Sequence, residues 1–333
     1  MANQEYNQRK WLVLLTLLVL LVASFFLSVG LGVYMLTPRQ VFSAAFLEKE
    51  GLNHTIVWNV RVPRVFVGGL TGICLSTAGV ILQGIMRNPL ASPGTIGINS
   101  GAGFAATVCL VLFPHMEPLL TPTAFLGAFG TTMLVYLLSW KNGIRPLRMV
   151  LAGMAVSSFV SAAINGIVLF FPDRMQNTLG FSIGSLAAKN WSDFYHLLPY
   201  TVLGFLGAMF LARQLNILGL GDEMAAGLGL SVERVRFALI VLSSLLSASA
   251  VAVVGLLGFV GLIVPHIMRM IIGSDHRFLL PAAAMAGAIL VMLCDTFSRL
   301  VIAPAEMPVG IVIALIGAPF FLYLLRERMQ NHG

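Results

Sequence analysis

Apolar residues run through this chain in long blocks, and polar residues gather in the short stretches between them. Blocks of this length, about 17–25 residues, suit helices that cross a hydrocarbon core of about 30 Å. The pattern predicts spans near 11–36, 65–85, 95–113, 119–140, 147–171, 191–211, 237–256, 258–272, 279–300 and 309–325. The first block is too long for a signal-peptide core, and no small-residue cleavage site with a soluble domain follows it, so it reads as a span. Residues 237–272 form one apolar stretch that as a single helix would be about 54 Å long, nearly twice the core thickness. Gly255, Gly258, Gly261 and Pro265 offer breaks, which divides the stretch into one full helix and one short one.

Charge placement supports an even count. Thirteen of the 20 Lys and Arg residues fall on the side that ten spans assign to both termini. The positive-inside rule makes that side cytoplasmic. The expected fold is therefore an all-α, polytopic membrane bundle of about ten helices. It forms one domain over 1–333, with short cytoplasmic tails at 1–10 and 326–333.

Composition agrees: 58% of residues are hydrophobic and 10% are charged, against about 25% charged in soluble domains. The net charge of +7 sits in the connections rather than in a patch, so lipid headgroups and not nucleic acid account for it. Cys74, Cys109 and Cys294 lie apart inside apolar blocks and suggest neither a disulfide nor a metal. His266 stands alone beside Pro265 and is assigned no metal. Gly68-x-x-x-Gly72 and Gly97-x-x-x-Gly101 read as close helix packing within one subunit.

Three local features carry candidate function. Arg61-Val-Pro-Arg64 precedes the second span on the external side, with Pro63 at a helix start. Lipid headgroups, a salt bridge or an external partner would each explain these arginines. Gln83 to Gly94, with Asn88-Pro89 and Pro93-Gly94, reads as a cytoplasmic turn. The cytoplasmic loop 216–236 holds a short helix after Gly221, capped by Asp222 and with Glu223 in its first turn. Met224, Ala225 and Leu228 would share one face, Gly227 and Gly229 would end the helix, and Ser231 would cap the next. That apolar face needs either the bilayer surface or a groove on another protein. Asp295 lies four residues before Arg299, a spacing that permits an ion pair, and Glu306 stands where it could cap the last span.

These segments, with Leu151-Ala152-Gly153, Gly258-Phe259-Val260-Gly261-Leu262-Ile263-Val264-Pro265-His266, Glu306-x-Pro308-Val309-Gly310 and Gly317-Ala318-Pro319-Phe320, occur in one order along nearly the whole chain. Taken together, they resemble the permeases of the iron-siderophore, haem and cobalamin importers, a branch of the ABC transporters. The resemblance implies a multi-pass permease of the bacterial cytoplasmic membrane, with ten spans. Its partners would be a second permease chain, two ATPase subunits and an external binding protein that delivers an iron chelate, most often a ferric siderophore. It implies binding-protein docking at Arg61, Arg64 and Arg299, and ATPase coupling through Gly221, Asp222, Glu223, Met224, Ala225, Leu228 and Gly229. Pro146 and Leu147 match the cytoplasmic gate region, although they are not the small polar pair of some relatives. The chain itself would bind no cofactor, since it has no Gly-x-x-x-x-Gly-Lys-Ser/Thr loop. ATP and Mg would belong to the ATPase.

Two other classes are weighed against this one. An ion-driven secondary transporter would place acids at mid-depth, and no predicted span has one. An intramembrane enzyme would need a nucleophile–base pair or a metal cluster, and neither His-Glu-x-x-His nor Gly-x-Ser-x-Gly occurs.

Overall fold

The computed structural model describes residues 2–32, 34, 37, 39–41, 43, 51–140 and 146–331. Thirteen helices, numbered here in chain order, carry the described fold. They are α1 (Ala2–Gly30), α2 (Leu52–Met86), α3 (Ile98–Leu112), α4 (Leu120–Ser139), α5 (Pro146–Phe170), α6 (Met175–Ile183) and α7 (Trp191–Phe210). The rest are α8 (Ala212–Leu218), α9 (Asp222–Gly227), α10 (Val232–Val254), α11 (Val260–Ile272), α12 (His276–Leu300) and α13 (Val309–Asn331). Six helices are long and apolar enough to cross a membrane, and the pair α7–α8, bent by 56°, makes a seventh span. Three shorter apolar helices, α3, α11 and the start of α13, account for the ten expected spans. The expected tails are helical where described: α1 begins at Ala2 and α13 continues to Asn331.

Helix α2 is the axis of the bundle. From Val62 to Met86 nearly every residue is buried, packed against α7, α10, α11 and α12. Glycine permits this. A Cβ on Gly72 would lie 2.1 Å from the Gly287 carbonyl oxygen, and one on Gly79 would lie 1.9 Å from that of Gly261. Gly101 crosses Gly127 equally tightly. The small-residue faces therefore serve contacts inside the subunit, as expected, because bare backbones let helices approach within dispersion range.

Helix α2 begins 13 residues before the predicted 65–85 span, and Pro63 stands in the first turn of its α-helical part, Val62–Met86, as expected. A π-helical turn, Thr55–Arg61, runs straight into it, with the Val62 amide bonded to the Val57 carbonyl. Proline has no N–H to give the preceding turn, and a wider turn upstream absorbs the missing bond.

The long 237–272 stretch does break, but only over Gly255–Phe259. Phe259 adopts φ +64°, and Gly261 and Pro265 lie inside α11 rather than at the break. The extended segment there bonds to the end of α6: Leu256 N–H donates to Phe181 O (2.8 Å) and Ser185 N–H to Val254 O (2.9 Å). Gly310 N–H donates to Gly184 O at 3.2 Å, so the start of α13 meets the same junction. Sequence reading missed α6, because its apolar pattern is short and weak.

Candidate functional site

At the external end of the bundle, five charged residues from α2, α12 and the turn before α13 form one cluster. Arg64 lays its guanidinium against Asp295, with Nε–Oδ2 3.0 Å and Nη2–Oδ1 2.9 Å. Its remaining arm, Nη1, donates to Glu306 Oε2 at 2.8 Å. Arg299 reaches the same Asp295 carboxylate (Nε–Oδ2 3.2 Å), as the four-residue spacing predicts. Glu306 therefore pairs with Arg64 instead of capping the last span.

Arg61 and Arg299 also close the end of α1. Arg61 Nη1 donates to the carbonyls of Val29 (2.9 Å) and Gly30 (3.0 Å), and its Nη2 to that of Tyr34. Arg299 donates to Ser28 O (2.9 Å) and Leu31 O (3.1 Å). The last carbonyls of a helix have no partner within it and carry its negative dipole end, so two cations there satisfy both needs. As a result Arg61, Arg64 and Arg299 are only 6%, 7% and 5% exposed. The expected rim contacts face inward in this chain. Glu306, whose side chain is 37% exposed, is the cluster's outward group.

The cytoplasmic end holds a second site. Gly221, at φ +110°, starts α9 without any side-chain cap, and Asp222 does not cap it. The Asp222 carboxylate instead accepts from Arg236 at 2.7 Å and lies 3.8 Å from Arg87. Arg236 is 2% exposed, and its other arm donates to Glu233 at 2.8 Å. One buried arginine thus ties α9 to the first turn of α10, while Arg87 reaches across from the end of α2. The expected apolar face divides in two. Ala225 is buried, whereas Met224 (60%) and Leu228 (65%) project outward with Leu220 and Glu223. Gly229 ends the segment at φ +82°, and Ser231 makes no side-chain cap bond. Neither Arg236 nor Arg87 was singled out for this role from the sequence, since nothing local signals pairs 14 and 135 positions from Asp222.

The turn after α2 packs onto this end. Gln83 donates to Leu262 O (3.2 Å) and accepts from Arg269 (2.9 Å). Asn216 Nδ2 donates to Asp275 Oδ1 (2.8 Å), and Asn216 Oδ1 accepts the His276 amide (2.9 Å). Asp275 caps α12, and the adjoining Arg277 holds its carboxyl well below the usual carboxylate range. Gly153 of the Leu151-Ala152-Gly153 motif lets α5 cross the 93–96 turn, where a Cβ would lie 2.2 Å from Thr95 O.

Helix α5 leaves one long face open. Leu147 (70% exposed), Leu151, Met154, Ser158, Ser161 and Asn165 follow one another at helical spacing and are all exposed. Of the predicted gate, Leu147 stands at the cytoplasmic start of this row. Pro146 is described only as the first residue of α5. Among the described residues no group of His, Cys, Asp or Glu has the geometry of a metal site. The three cysteines are buried and unpaired, as expected.

The chain matches the model of the FecCD transport family over residues 20–327. It is 38% identical over 324 residues to the Fe(3+)-citrate import system permease protein YfmE of Bacillus subtilis, covering 96% of each chain. It is 40% identical over 331 residues to the hemin transport system permease protein HmuU of Yersinia pestis, covering 95% of this chain and 96% of that one. A solved structure described as an inward-facing metal-chelate type ABC transporter superposes with a TM-score of 0.85 at 33% identity, over 95% of this chain and 99% of that one. A ten-span helical bundle, small-residue crossings and this extent of identity lead to one assignment: the chain is a multi-pass membrane permease that belongs to the FecCD transport family.

Proposed function

We propose that this permease imports an iron chelate, with a ferric siderophore as the leading cargo and haem or cobalamin as the alternatives. The energy comes from ATP hydrolysed on two separate ATPase subunits. The observation that carries the reading is α9, a short cytoplasmic helix with exposed Met224 and Leu228, locked from behind by the ion pair of Asp222 with the buried Arg236. Exposed apolar knobs on a rigidly anchored helix suit a groove on a partner protein. No acid stands at mid-depth in a described span to serve an ion-driven cycle; Asp295 lies five residues from the outer end of α12 and is committed to two arginines.

The open face of α5 supports pairing with a second permease chain. Ser158, Ser161 and Asn165 interrupt an apolar helix, and polar side chains turned toward lipid are costly, so this row suits a wet pathway between two chains. At the outer end, docking of a binding protein works through the cluster rather than on its surface. A carboxylate arriving from outside meets Glu306 first and competes with it for the Nη1 arm of Arg64.

The test is uptake into proteoliposomes that hold the permease, its ATPase and the external binding protein loaded with ferric siderophore. Accumulation should require ATP and survive a protonophore. Uptake that persists without ATP and collapses with the protonophore would favour the ion-driven reading.

A further inference from the structure

Asn216 lies on α8, the short helix bent by 56° from α7 that leads into α9. Only Gly219, Leu220 and Gly221 separate α8 from α9, and they form a hydrogen-bonded turn. Leu220 N–H donates to Ile217 O (3.0 Å) and Gly221 N–H to Leu218 O (3.2 Å). Ala212, Leu215 and Leu218 are buried, so α8 is packed into the bundle while Met224 and Leu228 of α9 face outward. A displacement of α9 therefore reaches α8 with little slack.

Both polar atoms of the Asn216 side chain are committed to the start of α12. Nδ2 donates to Asp275 Oδ1 (2.8 Å), which fixes the orientation of the amide, since a carboxylate needs a donor. Oδ1 then faces His276 and accepts from its backbone amide (2.9 Å) and from Nδ1 of its ring (2.6 Å). The first amides of a helix have no partner within it, so a side chain from α8 serves α12 beside its own Asp275 cap. The other edge of the His276 ring lies against Gly84 of α2, where a Cβ would come within 3.0 Å of Nε2 and 2.8 Å of Leu215 Cδ1. The ends of α2, α8 and α12 thus meet at one residue, and α11 joins them through the bond of Arg269 to Gln83.

From this junction α12 runs as one helix to Leu300 and carries Asp295, about 28 Å away, into the outer ion-pair cluster. Asp222 anchors the coupling segment to α10, whereas Asn216 links the same segment to α12. Coupling between distant sites is carried by hydrogen-bonded and packed contacts through rigid elements. We infer that Asn216 is a positioning residue for transport: it clamps the coupling segment to α12, so that movement of the ATPase beneath α9 shifts α12 and, with it, the outer cluster. The inference rests on the reading of α9 as the ATPase contact.

The test uses the permease with its ATPase in proteoliposomes and the external binding protein loaded with ferric siderophore. Asn216→Asp sets two carboxylates against each other and opens the clamp. Docking of the ATPase and its rate of hydrolysis should stay as in the native chain, while cargo imported per ATP should fall about fivefold or more. Asn216→Ala, which removes the bonds without adding charge, should lower the same ratio. Asn216→Asp combined with Asp275→Asn exchanges amide and carboxylate, so a donor again faces an acceptor and α12 keeps a capping side chain; this pair should restore the ratio. A bimane on Phe297→Cys, at the outer end of α12, should change its emission on ATP binding in the native background and in the exchanged pair, but not in either single variant. A normal ratio in both single variants overturns the clamp, as does a loss of ATPase docking in step with uptake, or an exchanged pair that recovers nothing. Met224→Ala with Leu228→Ala, run alongside, separates the two readings. Normal uptake there removes α9 from the path and the clamp with it, whereas lost uptake there with normal coupling in the Asn216 variants rejects the clamp alone.

Discussion

Asp295 holds two guanidinium groups at the outer end of α12, and its value lies in what would be left behind without it. Arg64 and Arg299 are almost fully buried, and removing one member of a buried ion pair costs about 3–5 kcal/mol because a charge remains uncompensated. Asp295→Ala should lower the thermal unfolding midpoint of the detergent-purified permease by an amount in keeping with that loss. Arg64→Met combined with Asp295→Leu should recover a large part of it, giving a coupling energy well above that of distant pairs. Additive losses in the four-variant cycle would mean that the pair is not the unit of stability. Glu306 is the complementary case, since its exposed carboxylate is only a competitor for Arg64. Glu306→Gln should tighten docking of the external binding protein, measured by surface plasmon resonance on nanodiscs, and weaker docking would reject competition. Reversing Arg61 or Arg64 to Glu is a poor docking test, because it would put a carboxylate among carbonyls or beside Asp295.

Helix α9 has six residues, too few to stand alone in water. Its shape is imposed by Ala225 packed inward and by the carboxylate of Asp222 on Arg236. The face that remains is Met224 and Leu228. Replacing both with Ala should weaken ATPase docking about tenfold, equivalent to about 1.4 kcal/mol. ATP hydrolysis would then be uncoupled from uptake while the fold is unchanged. Asp222→Ala should reach a similar uptake defect by a different route, through loss of the anchor, and should also raise protease sensitivity across 216–236. Normal uptake in the Met224/Leu228 variant would remove α9 from the coupling path.

On the scale of the whole molecule, the buried axis of α2 and the open row on α5 define opposite kinds of surface. The first is closed by glycine contacts at Gly72 and Gly79 within the chain. The second is exposed over five turns and carries Ser158, Ser161 and Asn165. Two chains joined along that row would bring their copies of Ser158 close to a shared axis. Ser158→Cys should give a disulfide-linked dimer in oxidised membranes, visible on non-reducing gels, whereas Phe210→Cys on the lipid-facing α7 should not. The native cysteines are buried and should not interfere.

The order of spans and the existence of a short helix after Gly221 were legible in the sequence. They depend on local quantities: the length of apolar runs, the positions of Lys and Arg, and glycine where φ turns positive. Family membership was legible for the same reason, as a series of short motifs in order. What the side chains of those motifs touch was decided only in three dimensions. Arg61 and Arg64 look like surface charges until the end of α1 and Asp295, 231 positions away from Arg64, come to meet them. Asp222 looks like a cap until Arg236 takes its carboxylate. Hydropathy and charge pattern fix which segments enter the membrane, because the bilayer acts on each residue separately. Partners for buried charges and for bare glycine backbones exist only after the helices have packed, since both are contacts between parts of the chain that no local pattern connects.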